Sequence, residues 1–226
     1  MLEMIKLSII IPVLNEEQNL QILLPYLQKH TTTSTEIIVV DGGSSDESIN
    51  VIKRFNTRLI TSNVGRAAQM NAGAREAKGN RLYFLHADCK PPYNFETLIL
   101  SSEFQAGSFR MKFENGHWML MFCAWFTRFN WQICRGGDRS LFVDKLIFEK
   151  LAGFKDIPIM EDYEIVSRLL VDGQFVVLLD SLTSSARMYE KHGIVWLQLV
   201  YAYIHLLWFF GANEIALKTK LKNILD

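Results

Sequence analysis

The chain has no glycine-rich turn behind its first apolar segment, no cysteine pair, no linker and no excess of either charge. A dinucleotide site needs glycines where a pyrophosphate approaches the backbone. Here that stretch reads Pro12-Val13-Leu14-Asn15-Glu16-Glu17, which counts against a dehydrogenase. The three cysteines, Cys89, Cys123 and Cys134, form neither a Cys-x-x-Cys pair nor a zinc spacing, so reduced thiols in a cytosolic protein are the simplest account. Lys plus Arg and Asp plus Glu number 24 each, so the summed charge draws the protein neither to nucleic acid nor to anionic lipid. Any anionic ligand must be met by local cations. The apolar run from Leu7 is broken by Pro12 and Asn15, too soon for the core of an export signal, and none is expected. With no low-complexity tract, the 226 residues read as one domain.

What is present is an alternation of short apolar runs and amphipathic stretches. Residues 7–11 form a β-branched run that Pro12 should stop from pairing further. Asn15 with Gln18 resembles a capping box, and Leu20, Leu23, Leu24 and Leu27 follow at helical spacing, interrupted by Pro25. Residues 36–40 make a second strand, after which Ser44 or Ser45 can cap a helix reaching Phe55. A short strand at 59–62, an alanine-rich helix at 65–78 and a strand at 82–85 complete the pattern of a mostly parallel sheet with helices on both faces. The second half is mixed: alternating Phe109, Met111 and Phe113, an aromatic helical stretch at 117–134, a strand at 141–143, helices at 145–151 and 161–170, and a strand at 175–179. Antiparallel strands are expected there.

Residues 194–210 are apolar apart from Gln198 and His205. At about 1.5 Å per residue such a helix falls short of a ~30 Å hydrocarbon core. Gln198, Tyr201 and His205 share one stripe, which favours packing against the body of the protein or a second subunit. The aromatic group of Trp118, Phe122, Trp125, Phe126, Phe129 and Trp131 has two readings, core packing, which is preferred, and stacking on sugars or isoprenoid chains. If this stretch and the helix at 194–210 share a surface, that surface suits a lipid or membrane-bound molecule.

Several polar residues fall where ligands sit. Leu82-Tyr83-Phe84-Leu85-His86-Ala87-Asp88 drives four apolar residues into a polar triplet, delivering Asp88 to the carboxyl edge of the sheet. A lone carboxylate there suits a divalent cation held by a substrate diphosphate. Asp41, ending the second strand before Gly42-Gly43, can accept from a ribose or base N–H, and Arg66 and Gln69, one helical turn apart, can both face the cleft. Gly136-Gly137-Asp138-Arg139 offers a turn that lets a substrate lie close to main chain. Glu161-Asp162 heads a helix behind an apolar wall, and partial burial would make a carboxylate there a better base.

Taken in order, Ile9-Ile10-Ile11-Pro12-Val13-Leu14-Asn15-Glu16-Glu17, Val39-Val40-Asp41-Gly42-Gly43-Ser44-Ser45-Asp46, His86-Ala87-Asp88 and Glu161-Asp162 resemble family 2 glycosyltransferases with the GT-A fold. The resemblance covers most of residues 5–180 and is nearest to a bacterial subgroup of short, single-domain members with a His-Ala-Asp strand end. It implies that Asp41 lies against the nucleoside of a sugar-nucleotide donor, with Pro12, Glu16 and Arg66 around it. Asp88 matches the last aspartate of the Asp-x-Asp motif and would bind Mg²⁺ or Mn²⁺, and Asp162 matches the catalytic base of an inverting displacement.

His86 replaces the first aspartate of that motif, and its imidazole could serve the ribose, the diphosphate or Asp88. Arg187 and His192 are read as a cationic clamp and an extra metal ligand, or as a surface loop. Glu161, Gly136 and Gly137 fall on the acceptor side. The resulting organisation is a nucleotide-binding half at 5–110, an acceptor half at 111–193 and a helical segment at 194–226. This suits a cytoplasmic protein, peripheral at the inner face of the membrane or dimeric through its C-terminal helix. The competing readings are a nucleotidyltransferase on a similar fold and a non-catalytic adaptor.

Overall fold

The computed structural model describes residues 4–114, 116–127, 140–171, 173 and 175–225. Among these, eight strands form one sheet in the order β3-β2-β1-β4-β7-β6-β8-β5. The strands are β1 (Leu7–Val13), β2 (Thr35–Asp41), β3 (Arg58–Thr61), β4 (Arg81–Phe84), β5 (Cys89–Lys90), β6 (Ala106–Phe113), β7 (Leu141–Asp144) and β8 (Phe175–Ser184). The first four are mutually parallel. Strand β7 then runs antiparallel to β4 and β6, while β6 and β8 pair in parallel.

Side-chain alternation along β1 sorts the core into two layers. Ile9 and Ile11 join the leucines of α1 (Glu17–His30), Val51 and Ile52 of α2 (Ser48–Ile52) and Phe95 and Ile99 of α4 (Phe95–Leu100). Ile10 points the other way, toward α3 (Arg66–Glu76), α6 (Lys145–Lys150) and α7 (Glu161–Val171). This is the period of two expected of a strand buried on both faces. Gly73 is what lets α3 lie so close: a Cβ there would fall 2.5 Å from Ile10 Cγ2 and 3.0 Å from Val40 Cγ2.

Four local expectations need correction. Strand β1 continues through Pro12, which pairs with Val40. Ile10 directs its carbonyl to β4 and Val13 directs its carbonyl toward β2, so the missing Pro12 donor faces β4, where pairing has already ended at Ile10. Asn15 does not cap α1. It adopts a left-handed φ of 57°, and its carboxamide oxygen accepts from the Ser45 amide at 2.8 Å. Nor do Ser44 and Ser45 cap α2, which starts only at Ser48. Pro25 lies inside an α1 that runs on to His30.

The C-terminal segment is helical, comprising α5 (Trp118–Phe126) together with α8 (Arg187–His192), α9 (Ile194–Phe209) and α10 (Glu214–Leu225). Helices α9 and α10 fold back on each other around Val200, Ile204 and Leu217, with Ile159 from the loop before α7 completing the cluster. Core packing was the preferred reading of the aromatic stretch, yet α5 buries only Leu120 and Ala124 and exposes Trp118, Met121 and Phe122. Phe129, Trp131, Cys134, Gly136 and Gly137 lie outside the described residues.

Candidate active site

Strand order reverses between β1 and β4: the chain steps outward from β1 to β2 to β3 and then returns to the other side of β1. The crevice beyond the carboxyl ends of those two strands is where open α/β sheets take ligands. On the β1 side it is built by two loops stitched to each other. The Asn15 amide donates to Ser44 Oγ (2.9 Å), the Glu16 amide to Ser48 Oγ (2.9 Å) and the Glu17 amide to Asp46 Oδ2 (3.1 Å). Ser44, Asp46 and Ser48 were not singled out as site residues. Their signal is that two strand-end loops must satisfy each other's amides, which a run of serines and an aspartate can do.

Asp41 is 1% exposed, and its carboxylate accepts from the amides of Gly43 (2.9 Å) and Ser44 (3.1 Å). It therefore braces its own turn, in which Gly43 takes a φ of 99° that an L side chain rarely tolerates. Gln69, expected to reach the ligand, is instead buried beneath the strand ends. Its Nε2 donates to the carbonyls of Val13 and Val40, both at 2.8 Å.

On the β4 side the Cys89 amide donates to the His86 carbonyl at 3.1 Å, closing a turn that holds His86 and Asp88 two residues apart at the strand end. Cys89 then pairs with Ser184 of β8, and the Ser185 amide donates to the Asp88 carbonyl at 3.1 Å. That junction delivers Arg187 to the crevice, its guanidinium 3.7 Å from Glu16 Oε2. Asn19 Nδ2 donates to the same Glu16 oxygen at 2.5 Å. Burial raises the Glu16 pKa, and the nearby charges of Asp88 and Asp46 push it further up, against Asn19 and Arg187. Glu16 thus sits with Asp88 and Arg187 at one corner.

Helix α7 supplies the opposite wall. Met160, just before it, takes a φ of 67°, a strained conformation for an unbranched L residue, and turns the first residues of α7 inward. Asp162 Oδ2 lies 3.7 Å from His86 Nε2. Glu161 is buried at 1% exposure and ion-pairs with Arg66 Nε of α3 at 2.7 Å. Burial raises the Glu161 pKa, the Asp162 charge adds to the rise, and Arg66 opposes both. Glu16, Arg66, His86, Asp88, Glu161, Asp162 and Arg187 are thus gathered at the strand ends, with Asp41 and Gln69 in the layer beneath them and Pro12 buried in β1.

Among the described residues no three His, Cys, Asp or Glu side chains form a metal cage. Asp88 nevertheless suits a hard cation. Its carboxylate is partly exposed and accepts only the weak Cys89 thiol contact at 3.4 Å among the described residues. Mg²⁺ and Mn²⁺ bound with a nucleotide take one or two protein carboxylates and fill the rest of their shell from phosphate and water.

Comparison with known proteins agrees with this fold. Residues 8–102 match the family described as glycosyl transferase family 2. The undecaprenyl-phosphate 4-deoxy-4-formamido-L-arabinose transferase of Pseudomonas savastanoi pv. phaseolicola is 33% identical over 108 residues, 42% of this chain and 32% of that protein. Glycosyltransferase AglE of Haloferax volcanii is 33% identical over 93 residues, 37% of this chain and 31% of its own. The chain thus spans about a third of the length of the curated relatives it matches.

Among solved structures, Staphylococcus aureus TarS in complex with UDP superposes with a TM-score of 0.67 at 16% identity, over 97% of this chain and 70% of that one. The mannosyltransferase PcManGT of Pyrobaculum calidifontis, in complex with GDP-Man and Mn²⁺, gives 0.64 at 16% identity over 96% and 69%. At that identity the likeness speaks for the fold. Residues 8–102 are thus similar to glycosyl transferase family 2, and the chain takes the GT-A fold.

Proposed function

We propose that this protein is an inverting glycosyltransferase that moves a sugar from a nucleoside-diphosphate donor to an acceptor hydroxyl with the help of Mg²⁺ or Mn²⁺. The observation that carries the reading is the convergence of Asp88, His86 and Asp162, from two distant parts of the chain, on the β1–β4 crevice, with Asp162 3.7 Å from the imidazole. Residues 5–110 hold the donor, 111–193 face the acceptor and 194–226 attach as a helical unit.

In this reading the Gly42-Gly43-Ser44 turn braced by Asp41 meets the nucleoside, with Pro12 beside it. Arg187 and Arg66 supply the cationic contacts that an overall neutral chain must provide locally. Asp88 would hold the divalent ion, which when bound would neutralise charge growing on the departing diphosphate. Asp162 takes the acceptor proton as its oxygen attacks the anomeric carbon from the face opposite the diphosphate. His86 holds the Asp162 carboxylate at the strand end. Glu161, locked to Arg66, fixes the first turn of α7.

Undecaprenyl-phosphate transferases among the relatives support an acceptor carried on a lipid, and with it a place at the inner face of a membrane. The test is thermal denaturation with uridine and guanosine diphosphates, with and without Mn²⁺. A nucleotide with Mn²⁺ should raise the Tm, and Asp88→Ala should abolish the rise. No shift with either nucleotide would remove the reading.

A further inference from the structure

Helix α9 has its polarity reversed for a helix in water. Its polar side chains turn inward: Gln198 Nε2 donates to the Tyr189 hydroxyl at 2.9 Å, Tyr201 packs edge-on to Tyr189, and His205 lies against Tyr163 with ring centroids 4.6 Å apart. Its outward stripe, Trp196, Leu199, Tyr203, Leu206, Phe209 and the capping Phe210, is exposed and without charge. The 3-and-4 spacing sets these on a single face. Helix α5 lies against α9 and adds exposed Trp118, Met121 and Phe122. An apolar surface this continuous marks a partner.

Charge and length decide which partner. The chain as a whole is neutral, yet residues 187–226 hold five basic residues, Arg187, Lys191, Lys218, Lys220 and Lys222, against three acidic ones, Glu190, Glu214 and Asp226. Lys218, Lys220 and Lys222 are exposed on α10, and Lys220 Nζ donates to the Tyr203 hydroxyl at 2.8 Å, at the border of the apolar stripe. No described helix is long and apolar enough to cross a membrane. An apolar face with tryptophan and tyrosine, bordered by lysine and too short to span, suits a helix lying in the plane of a lipid interface. A second copy of the chain would instead bring lysine to lysine.

We infer that the outward face of α9, extended by α5 and edged by Lys220 of α10, seats this protein on an anionic lipid surface. The docking face is joined to the reaction site: Tyr163, the residue after Asp162, packs on His205 and Trp208 of α9. A chain seated this way holds its proposed base close to the headgroup layer, where a lipid-borne acceptor presents its reacting oxygen. This last step rests on the transfer reading, whereas the docking face stands without it.

The test is co-sedimentation of the full chain with phosphatidylglycerol-containing vesicles and with pure phosphatidylcholine vesicles, in the absence of donor. Each lysine near an anionic surface contributes roughly a factor of five, so Lys220 at the border of the stripe predicts a preference of at least roughly fivefold for the anionic vesicles, weakening with salt. Leu199→Glu and, separately, Phe209→Ser should abolish sedimentation, and the triple change of Lys218, Lys220 and Lys222 to Ser should remove the anionic preference. Each variant should keep the parent's Tm and far-UV circular dichroism in the absence of nucleotide, which shows the fold intact and separates failure here from failure of the transfer reading. Equal binding to both vesicle types, binding to neither, or a lipid-free dimer that Leu199→Glu makes monomeric would each overturn the inference.

Discussion

Arg66 reaches from the first residue of α3 to a buried carboxylate on α7, placing its Nε 2.7 Å from Glu161. The pair ties α3 to the helix that carries the proposed base. It also puts a charge in a poor place, because Glu161 adjoins Asp162 and is shielded from water.

The Glu161 pKa is raised above its ordinary 4.5, so the native state holds this proton more tightly than the unfolded chain does. The stability it contributes is complete below pH 4.5 and is lost as pH rises through the folded value. Glu161→Gln should therefore melt above the parent at pH 7 to 8, with the two curves converging toward pH 4. Scanning calorimetry across that range checks it, and a parent that melts higher at neutral pH would mean that the ion pair outweighs the burial.

Asp162→Asn removes the proposed base while leaving the proposed donor corner of Glu16, Asp88 and Arg187 intact. Turnover should fall by about 10²- to 10⁴-fold with the donor KM little changed. His86→Asn should lower kcat less, because it releases the carboxylate without removing it. Steady-state kinetics on both variants separates the two roles, and a large change in donor KM with kcat preserved would take Asp162 out of the base role.

Gln69 is a strut under the site. Gln69→Met keeps the volume but withdraws both donors from the Val13 and Val40 carbonyls. Val13 O still accepts from the Gly42 amide at 2.9 Å, so the loss should sit near the low end for buried hydrogen bonds, about 1 kcal/mol, read from urea unfolding. Donor KM should rise alongside, since the two carbonyls lie at the strand ends that carry Asn15 and Gly42.

Gly73→Ala sets helix propensity against packing. Alanine gains about 1 kcal/mol in a helix interior, but its Cβ would stand 2.5 Å from Ile10 Cγ2, and overpacking costs typically about 1–3 kcal/mol. The net effect should be a lower Tm, by about 2–4 °C for each kcal/mol lost in a domain of this size. A higher Tm would mean that α3 can lift off the sheet without penalty.

The parallel half was legible because β1, β2 and β4 are buried on both faces and so read as uninterrupted apolar runs ended by a polar triplet or a glycine turn. Asp88 and Asp162 stand at such ends. What misled was polarity used out of sight. Asn15, Ser44 and Ser45 have the chemistry of helix caps but spend it between loops, and Gln69 has the spacing of a ligand-facing residue but turns its amide to the strand ends. Neither choice leaves a mark in a single sequence, since each depends on a partner about 30 to 60 residues away. On α9 the stripe of Gln198, Tyr201 and His205 does face the protein, as its periodicity favours, but its partners Tyr189 and Tyr163 lie elsewhere in the chain and leave no mark in the helix itself.

The pairing of Cys89 with Ser184 also sets an order of assembly. Ninety-five residues separate the partners (184 minus 89), and β7, which closes the open side of β4, is likewise made late. While the ribosome has produced only the first hundred residues, β4 presents an unpaired edge and Asp88 has no Arg187 across from it. The corner that would receive a diphosphate therefore comes into being near the end of synthesis, and a chain cut after residue 102 should expose that edge and aggregate rather than fold as a smaller enzyme.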